Sequence, residues 1–313
     1  MKSTPAQHPT PSHSEAATGL LYGLSAYLVW GFFPLYFKAF GTISSTQIVS
    51  HRIVWSFIFL MLISFSPGRW DDIRKAMSNR RSLLLLISSA LLIAINWLVF
   101  IIAVGHGQVL QSSLGYFITP FVSVLLGMIF FKERLRRLQI IALLLAATGV
   151  VTLTVRYGSF PWTALILAIT FGSYGLLRKI VKTDALPGLT VETILLAPVA
   201  AGYLFYTGWT GEGAFLAKGW KIDLLLMSAG AVTAVPLLLF AAAARRLKLA
   251  TIGFLQYITP TIHFLLAVLL YNEFFSSVHL ISFIFIWTGL LFYSLDAWFA
   301  LAAQRNQAKI RSV

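Results

Sequence analysis

The 313-residue chain contains no cysteine. A disulfide framework, a thiolate nucleophile and any cysteine-based metal site are thereby excluded. Charge is scarce as well. Charged residues make up 11% of the chain, against roughly 25% in a soluble domain, so a water-soluble globule is excluded. No GxxxxGK[ST] loop is present, so neither an ATP-driven pump domain nor an ATPase partner is implied. HExxH and GxSxG are missing too. No two acids share a membrane depth as a catalytic pair, and the soluble stretches are too short for a catalytic domain. Nothing calls for a cofactor or a metal, and the chain does not read as an enzyme. Residues 1–17 are polar, with Pro and Ser, and lack the basic start and apolar core of a cleaved signal peptide. They are expected to form a disordered tail, with the first apolar span acting as an uncleaved anchor.

What the chain has in abundance is apolar sequence. Hydrophobic residues make up 58% of it, in runs long enough for membrane helices of ~20 residues. The expected class is an all-α polytopic membrane protein, because helices satisfy their own backbone hydrogen bonds in lipid. Solid apolar runs exclude the short alternating segments of an outer-membrane barrel. Ten spans are expected, near 18–40, 47–66, 82–104, 109–131, 138–155, 160–180, 188–208, 222–244, 249–270 and 277–300. Lys38, Arg52, Arg156, Lys218 and Lys221 fall on one side of that arrangement. The other 19 of the 24 basic residues fall on the side that holds both termini. The positive-inside rule then places both termini in the cytoplasm. It also accounts for the net charge of +14 without a nucleic-acid partner, since the basic residues are scattered between spans. The loop 67–81 could form a short interfacial helix with Trp70, Ile73 and Met77 on one face, or be an ordinary basic loop.

The chain repeats itself. Ile118-Thr119-Pro120, Glu133 and Thr148-Gly149 return 140 positions later as Ile258-Thr259-Pro260, Glu273 and Thr288-Gly289. Each half holds five spans, an odd number, so the second half is expected upside down. That is the inverted-repeat plan of secondary transporters, which bind solute near the midplane. The units are residues 18–155 and 160–300, with a second cytoplasmic tail at 301–313. Pro120 and Pro260 fall near mid-depth on opposed helices, where each frees a carbonyl four residues earlier. They either line a polar cavity as hinges or are simple packing kinks.

Other residues at similar depth extend a candidate solute site. They are Trp30, Trp55, Asn96, Trp97, Tyr116, Tyr174, Gln256, Tyr257 and His263. Asn96 in hydrocarbon is expected to face the bundle interior, lining the cavity or bonding another helix. Charges inside spans are costly unless paired or hydrated. Glu192 and Arg178 are expected to pair across the hairpin between spans 6 and 7, as an inner gate or brace. Arg52 has no acidic partner in any outer half-span. It bonds carbonyls, snorkels to the headgroups, or meets an anionic group on the solute. Glu133 and Glu273 are expected as charges at the starts of the helices that follow them. His51 and Glu192 could bind protons, which leaves ion coupling open. A membrane-embedded enzyme acting on lipid through His51, Arg52 and Glu192 is an alternative, as is a non-transporting scaffold.

The motifs together resemble a known family. They include Trp30-Gly31, His51-Arg52-Ile53-Val54-Trp55-Ser56, Asn96-Trp97, Ser113-Leu114-Gly115-Tyr116 and Glu133-Arg134-Leu135. Phe171-Gly172-Ser173-Tyr174, Gln256-Tyr257-Ile258-Thr259-Pro260 and Phe285-Ile286-Trp287 continue them. The chain resembles the RarD type of EamA-domain transporters, in the drug/metabolite transporter superfamily, across all ten spans. The resemblance implies a bacterial inner-membrane carrier of two inverted five-helix EamA-like units. Its central cavity would be lined mainly by spans 1, 3, 4, 6, 8 and 9. Relatives move amino acids, other small metabolites or drug-like compounds.

Overall fold

The computed structural model describes residues 13–65, 67–105, 109–157, 162–270 and 277–311. Residues 1–12 of the expected tail and Glu273 lie outside them. The described residues form thirteen α-helices and no strand. In order they are α1 (His13–Gly31), α2 (Phe33–Lys38), α3 (Ser45–Ile63), α4 (Pro67–Ser78), α5 (Arg80–Gly105), α6 (Val109–Phe131) and α7 (Arg137–Tyr157). Then follow α8 (Trp162–Ile180), α9 (Ala185–Trp209), α10 (Trp220–Arg246), α11 (Leu249–Leu255), α12 (Ile258–Leu269) and α13 (Ser277–Arg311). α1 begins inside the segment expected as tail, and α13 runs on through 301–311.

Two expected spans are each divided in two. Pro34 lacks an N–H and cannot continue α1, so the chain turns at Phe32 and restarts as α2. The segment expected near 249–270 divides at Gln256–Tyr257 into α11 and α12, just ahead of Pro260. Pro120, its repeat equivalent, sits inside an unbroken α6. The loop 67–81 supplies α4. Its Ile73 and Ala76 are buried against Leu86, Val181 and Val191, while Met77 is exposed.

Among the described residues, six helical stretches are long and apolar enough to cross a membrane, and three shorter apolar helices accompany them. Large apolar side chains such as Leu62, Val199 and Phe205 are more than 70% exposed. In a membrane protein those faces meet lipid. The chain is a polytopic all-helical membrane protein.

Close packing at glycines relates the two halves. A Cβ on Gly149 would lie 2.6 Å from the Ser282 carbonyl oxygen, and one on Gly289 would lie 2.6 Å from that of Ala142. The second pair is the first moved by 140 positions with partners exchanged. The same exchange relates the Ser123–Gln256 hydrogen bond to the Tyr116–His263 ring contact. For the first span the offset is 141. Gly31 against Ile262 matches Gly172 against Val122, and Gly23 against Leu255 matches Ala164 against Gly115. Reciprocal contacts of this kind mark a two-fold relation. Ala142 opposes Gly289 and Gly149 opposes Ser282, so α7 and α13 run antiparallel. A two-fold axis that reverses helix direction lies across the helices, and for membrane-crossing helices it lies in the membrane plane.

Candidate functional site

The helix breaks supply polar groups at the centre of the bundle. Pro34 frees the carbonyl of Trp30, four residues earlier. That oxygen lies 3.1 Å from His263 Nε2; a carbonyl can only accept, so Nε2 carries the proton. Thr259 Oγ1 donates to the Tyr27 carbonyl at 2.8 Å. Side chains of α12 therefore satisfy backbone acceptors of α1. On the other side of the axis, α11 approaches Pro120 closely because residue 253 is glycine. A Cβ there would lie 2.9 Å from the Pro120 carbonyl oxygen.

These segments surround a cavity on the two-fold axis. Seven residues expected at the site line it: Trp30, Arg52, Asn96, Trp97, Tyr116, Gln256 and His263. Two-fold mates share the wall, Tyr116 with Gln256 and Thr119 with Thr259. Asn96 serves both of its expected roles. It lines the cavity, and its Nδ2 donates to the Leu167 carbonyl and Thr170 Oγ1 of α8, at 3.0 and 2.9 Å. The free space is about 50 Å³, enough for a few waters and less than the roughly 300–1,000 Å³ of a small-molecule pocket.

Six lining residues were not singled out from sequence: Tyr27, Phe33, Phe100, Thr119, Phe171 and Thr259. The two threonines stand in the repeated Ile-Thr-Pro triad and were legible there. The aromatics carry no local signal in so apolar a chain.

Arg52 is 3% exposed. Its Nε donates to Thr233 Oγ1 at 2.9 Å. The guanidinium carbon lies 4.6 Å from the Trp97 ring centre, 5.1 Å from Phe37 and 5.8 Å from Phe33, within cation–π range. Among the described residues it has no carboxylate partner. It does not snorkel to a surface.

A second polar cluster lies toward the end of the bundle that carries α4. Arg178 and Glu192 are brought together at 3.3 Å, at 0% and 1% side-chain exposure. Ser89 Oγ donates to Glu192 Oε1 at 2.5 Å, Tyr174 donates to Oε2 at 3.4 Å, and Arg178 also donates to the Ala185 carbonyl at 3.1 Å. Rings of Tyr27, Phe171, Tyr174 and Phe240 form a layer between this cluster and the cavity.

Three residues expected at the site stand outside the cavity. Trp55 packs on Phe215, with ring centres 5.7 Å apart. Tyr174 lies one turn beyond Phe171 and serves Glu192 instead. Tyr257, about 100° around the helix from Gln256, is buried against Phe117, Phe121 and Phe254. His51 is buried near Phe215 and, among the described residues, makes no bond to Glu192. Glu133 caps a helix N-terminus, that of α11. Its carboxylate accepts the N–H of Leu249, the first residue of α11, at 2.9 Å. Asp296 pairs with Arg136 at 3.2 Å. A polar recess between the α4–α5 and α8–α9 turns has its acids paired, Asp72 with Lys75 and Asp184 with Arg245.

The model of the EamA-like transporter family matches residues 17–155. Over the whole chain, protein RarD of Escherichia coli is 42% identical across 295 residues, covering 94% of this chain and 99% of that one. The chain belongs to the RarD-type EamA transporters of the drug/metabolite transporter superfamily. An uncharacterized transporter of Vibrio cholerae is 46% identical over 297 residues, covering 95% of this chain and 98% of its own. The chloramphenicol-sensitive protein RarD of Pseudomonas aeruginosa is 31% identical over 295 residues, covering 93% and 97%. A solved crystal structure with 17% identity superposes with a TM-score of 0.67, covering 89% of this chain and 97% of that one. That likeness concerns the fold alone. The RarD-type chain is thus a multi-pass membrane transporter.

Proposed function

We propose that this RarD-type protein is a secondary carrier of a small organic solute in the bacterial inner membrane. It works by alternating access, with both termini in the cytoplasm and two inverted five-span units at residues 18–155 and 160–300. The observation that carries this reading is the place of the cavity. It lies where the two-fold-related halves cross, lined by the mates Tyr116 and Gln256, and Thr119 and Thr259. Two related halves that exchange conformations open a site on their axis first to one side and then to the other.

Both ends are held by specific contacts. At the α4 end, read as cytoplasmic, Glu192 ties α9 to α5 and α8, and Lys179 donates to the carbonyl of Leu247, the residue that follows α10. At the opposite end Tyr36 of α2 donates to the Leu225 carbonyl of α10 at 2.6 Å, and Gln47 of α3 donates to the Glu212 carbonyl at 2.8 Å. Closure at both ends agrees with a cavity too small for cargo. Opening either end enlarges it.

The test is counterflow in proteoliposomes, screening radiolabelled aromatic acids, amides and amino acids. Trp97→Ala reduces flux of the transported solute at least tenfold in a preparation that still unfolds cooperatively, at a lower temperature than wild type because a buried ring is lost. Wild-type flux in Trp97→Ala, or no flux of any solute by a folded preparation, would overturn the reading.

A further inference from the structure

Arg52 and Glu192 are 140 positions apart, so the two buried charges are two-fold mates. Their surroundings correspond. Glu192 meets Tyr174 and Arg178 of α8. Arg52 meets Phe33 and Phe37 of α2, which stand 141 positions before them. Glu192 takes a hydroxyl from Ser89 on α5, and Arg52 gives a hydrogen bond to Thr233 on α10, the mate of α5. The same place in the two halves therefore holds one charge each, and only one of them is neutralised. Where Arg178 faces Glu192, Phe37 faces Arg52.

A buried cation without a counter-charge is costly. Arg52 is almost wholly buried, yet it lines the cavity. Its two terminal nitrogens make no hydrogen bond among the described residues, and no acidic side chain lines the cavity.

We infer that the cargo supplies the missing charge: the solute is a monoanion, a carboxylate on an apolar or aromatic body. The carboxylate takes the two terminal N–H groups of Arg52, the planar bidentate pairing that guanidinium favours. The body lies against Trp97, Trp30 and Tyr116. A zwitterion is disfavoured, because its ammonium group would need an acid and none is among the described residues that line the cavity. Anion binding then completes the contact at the α2 end as Arg178 completes the one at the α4 end. This inference rests on the carrier reading of the cavity.

The test uses the purified full chain and calorimetric titration with three probes of similar shape: 3-phenylpropionate, 3-phenylpropionamide and phenylalanine. The acid binds at least tenfold more tightly than the amide or the amino acid. In Arg52→Gln the acid falls to within about twofold of the amide, whereas Arg52→Lys keeps a reduced preference for the acid. Equal binding of acid and amide by the wild type would overturn the inference without reference to any variant. So would tighter binding of phenylalanine, no binding of any probe, or an acid preference that survives Arg52→Gln. Counterflow separates the two readings. Acid binding without counterflow refutes the carrier and supports charge recognition. Counterflow of the amide as fast as the acid, unchanged in Arg52→Gln, supports the carrier and refutes charge recognition.

Discussion

Replacing Arg178 by methionine would remove the cation from a fully buried pair while roughly keeping the volume. Glu192 would retain its hydroxyl partners Ser89 and Tyr174, but they carry no charge. An isolated buried carboxylate left in this way costs about 3–5 kcal/mol. Glu192→Met is expected to cost a similar amount, since Arg178 would keep only the Ala185 carbonyl. The double replacement removes both charges, and apolar substitutes for a buried pair are neutral or stabilising by about 1–4 kcal/mol. The cycle therefore predicts two unstable single variants and a double variant near or above wild type. At roughly 2–4 °C per kcal/mol for chains of somewhat smaller size, each single variant should unfold on the order of 10 °C earlier. Thermal unfolding followed by circular dichroism in one detergent reads all four proteins. Single variants within about 1 kcal/mol of wild type, a cost expected of a solvated pair, would refute the buried-pair account. So would a double variant that loses the sum of the two. Counterflow by the stable double variant then separates the roles: wild-type flux assigns the pair to bracing, and lost flux with retained binding assigns it to gating.

Smaller perturbations test the packing and capping. Gly230→Ala would place a Cβ against the carbonyl of Trp55; backbone yields poorly, so a loss of about 1–3 kcal/mol is expected in the same unfolding assay. Gly202→Ala meets nothing within 4 Å and should gain about 0.5–1 kcal/mol from helix propensity; a loss there would contradict the open surface. Glu133→Ala removes the acceptor at the α11 N-terminus and should cost about 0.5–2 kcal/mol. Asp296→Asn loosens a pair whose Arg136 is half exposed and should cost less than about 1 kcal/mol. If Asp296→Asn proved the more damaging of the two, the discount for the exposed Arg136 would be wrong.

Membrane helices announce themselves through long apolar runs, so the elements were legible wherever a run was uninterrupted. α6 coincides with the expected span at both ends. The Arg178–Glu192 pair was also legible, because one hairpin joins the two residues and few other charges compete. Partners far apart in sequence were not. Glu133 stands just before α7 and reads as a charge at its start, whereas the bond of its carboxylate to the N–H of Leu249, 116 positions away, has no local signal. His263 stood in the candidate list, but its bond to the Trp30 carbonyl depends on Pro34 having freed that carbonyl. Trp55 and Tyr174 each lie one turn along the helix from a lining residue, Arg52 and Phe171, and Tyr257 faces Phe117 and Phe254 instead of the cavity. A helix that is apolar all round gives no moment from which to read direction. The correspondence of Arg52 with Glu192 lay in the numbering throughout. A search for identical residues passes over it, because the two mates carry opposite charges.

That opposition has a consequence for a two-fold carrier. In two identical halves the closures at the two ends would be equal in free energy, and no end would be preferred. Here the α4 end is completed by the chain's own Arg178, whereas at the α2 end Arg52 holds one hydroxyl and three ring faces. A ligand shifts such an equilibrium only by its differential affinity for the two states. If the solute's carboxylate meets Arg52 fully only when the α2 end has closed around it, binding stabilises that closure and leaves the Arg178–Glu192 contact unchanged. On the proposed carrier reading, the empty protein would rest with its α4 end shut, and loading would shift it toward parity between the two ends. Parity is the condition under which neither opening traps the cargo. On the proposed carrier reading, a scaffold with its two halves related by symmetry would obtain a solute-dependent cycle from two exchanges between mates, Arg52 for Glu192 and Phe37 for Arg178.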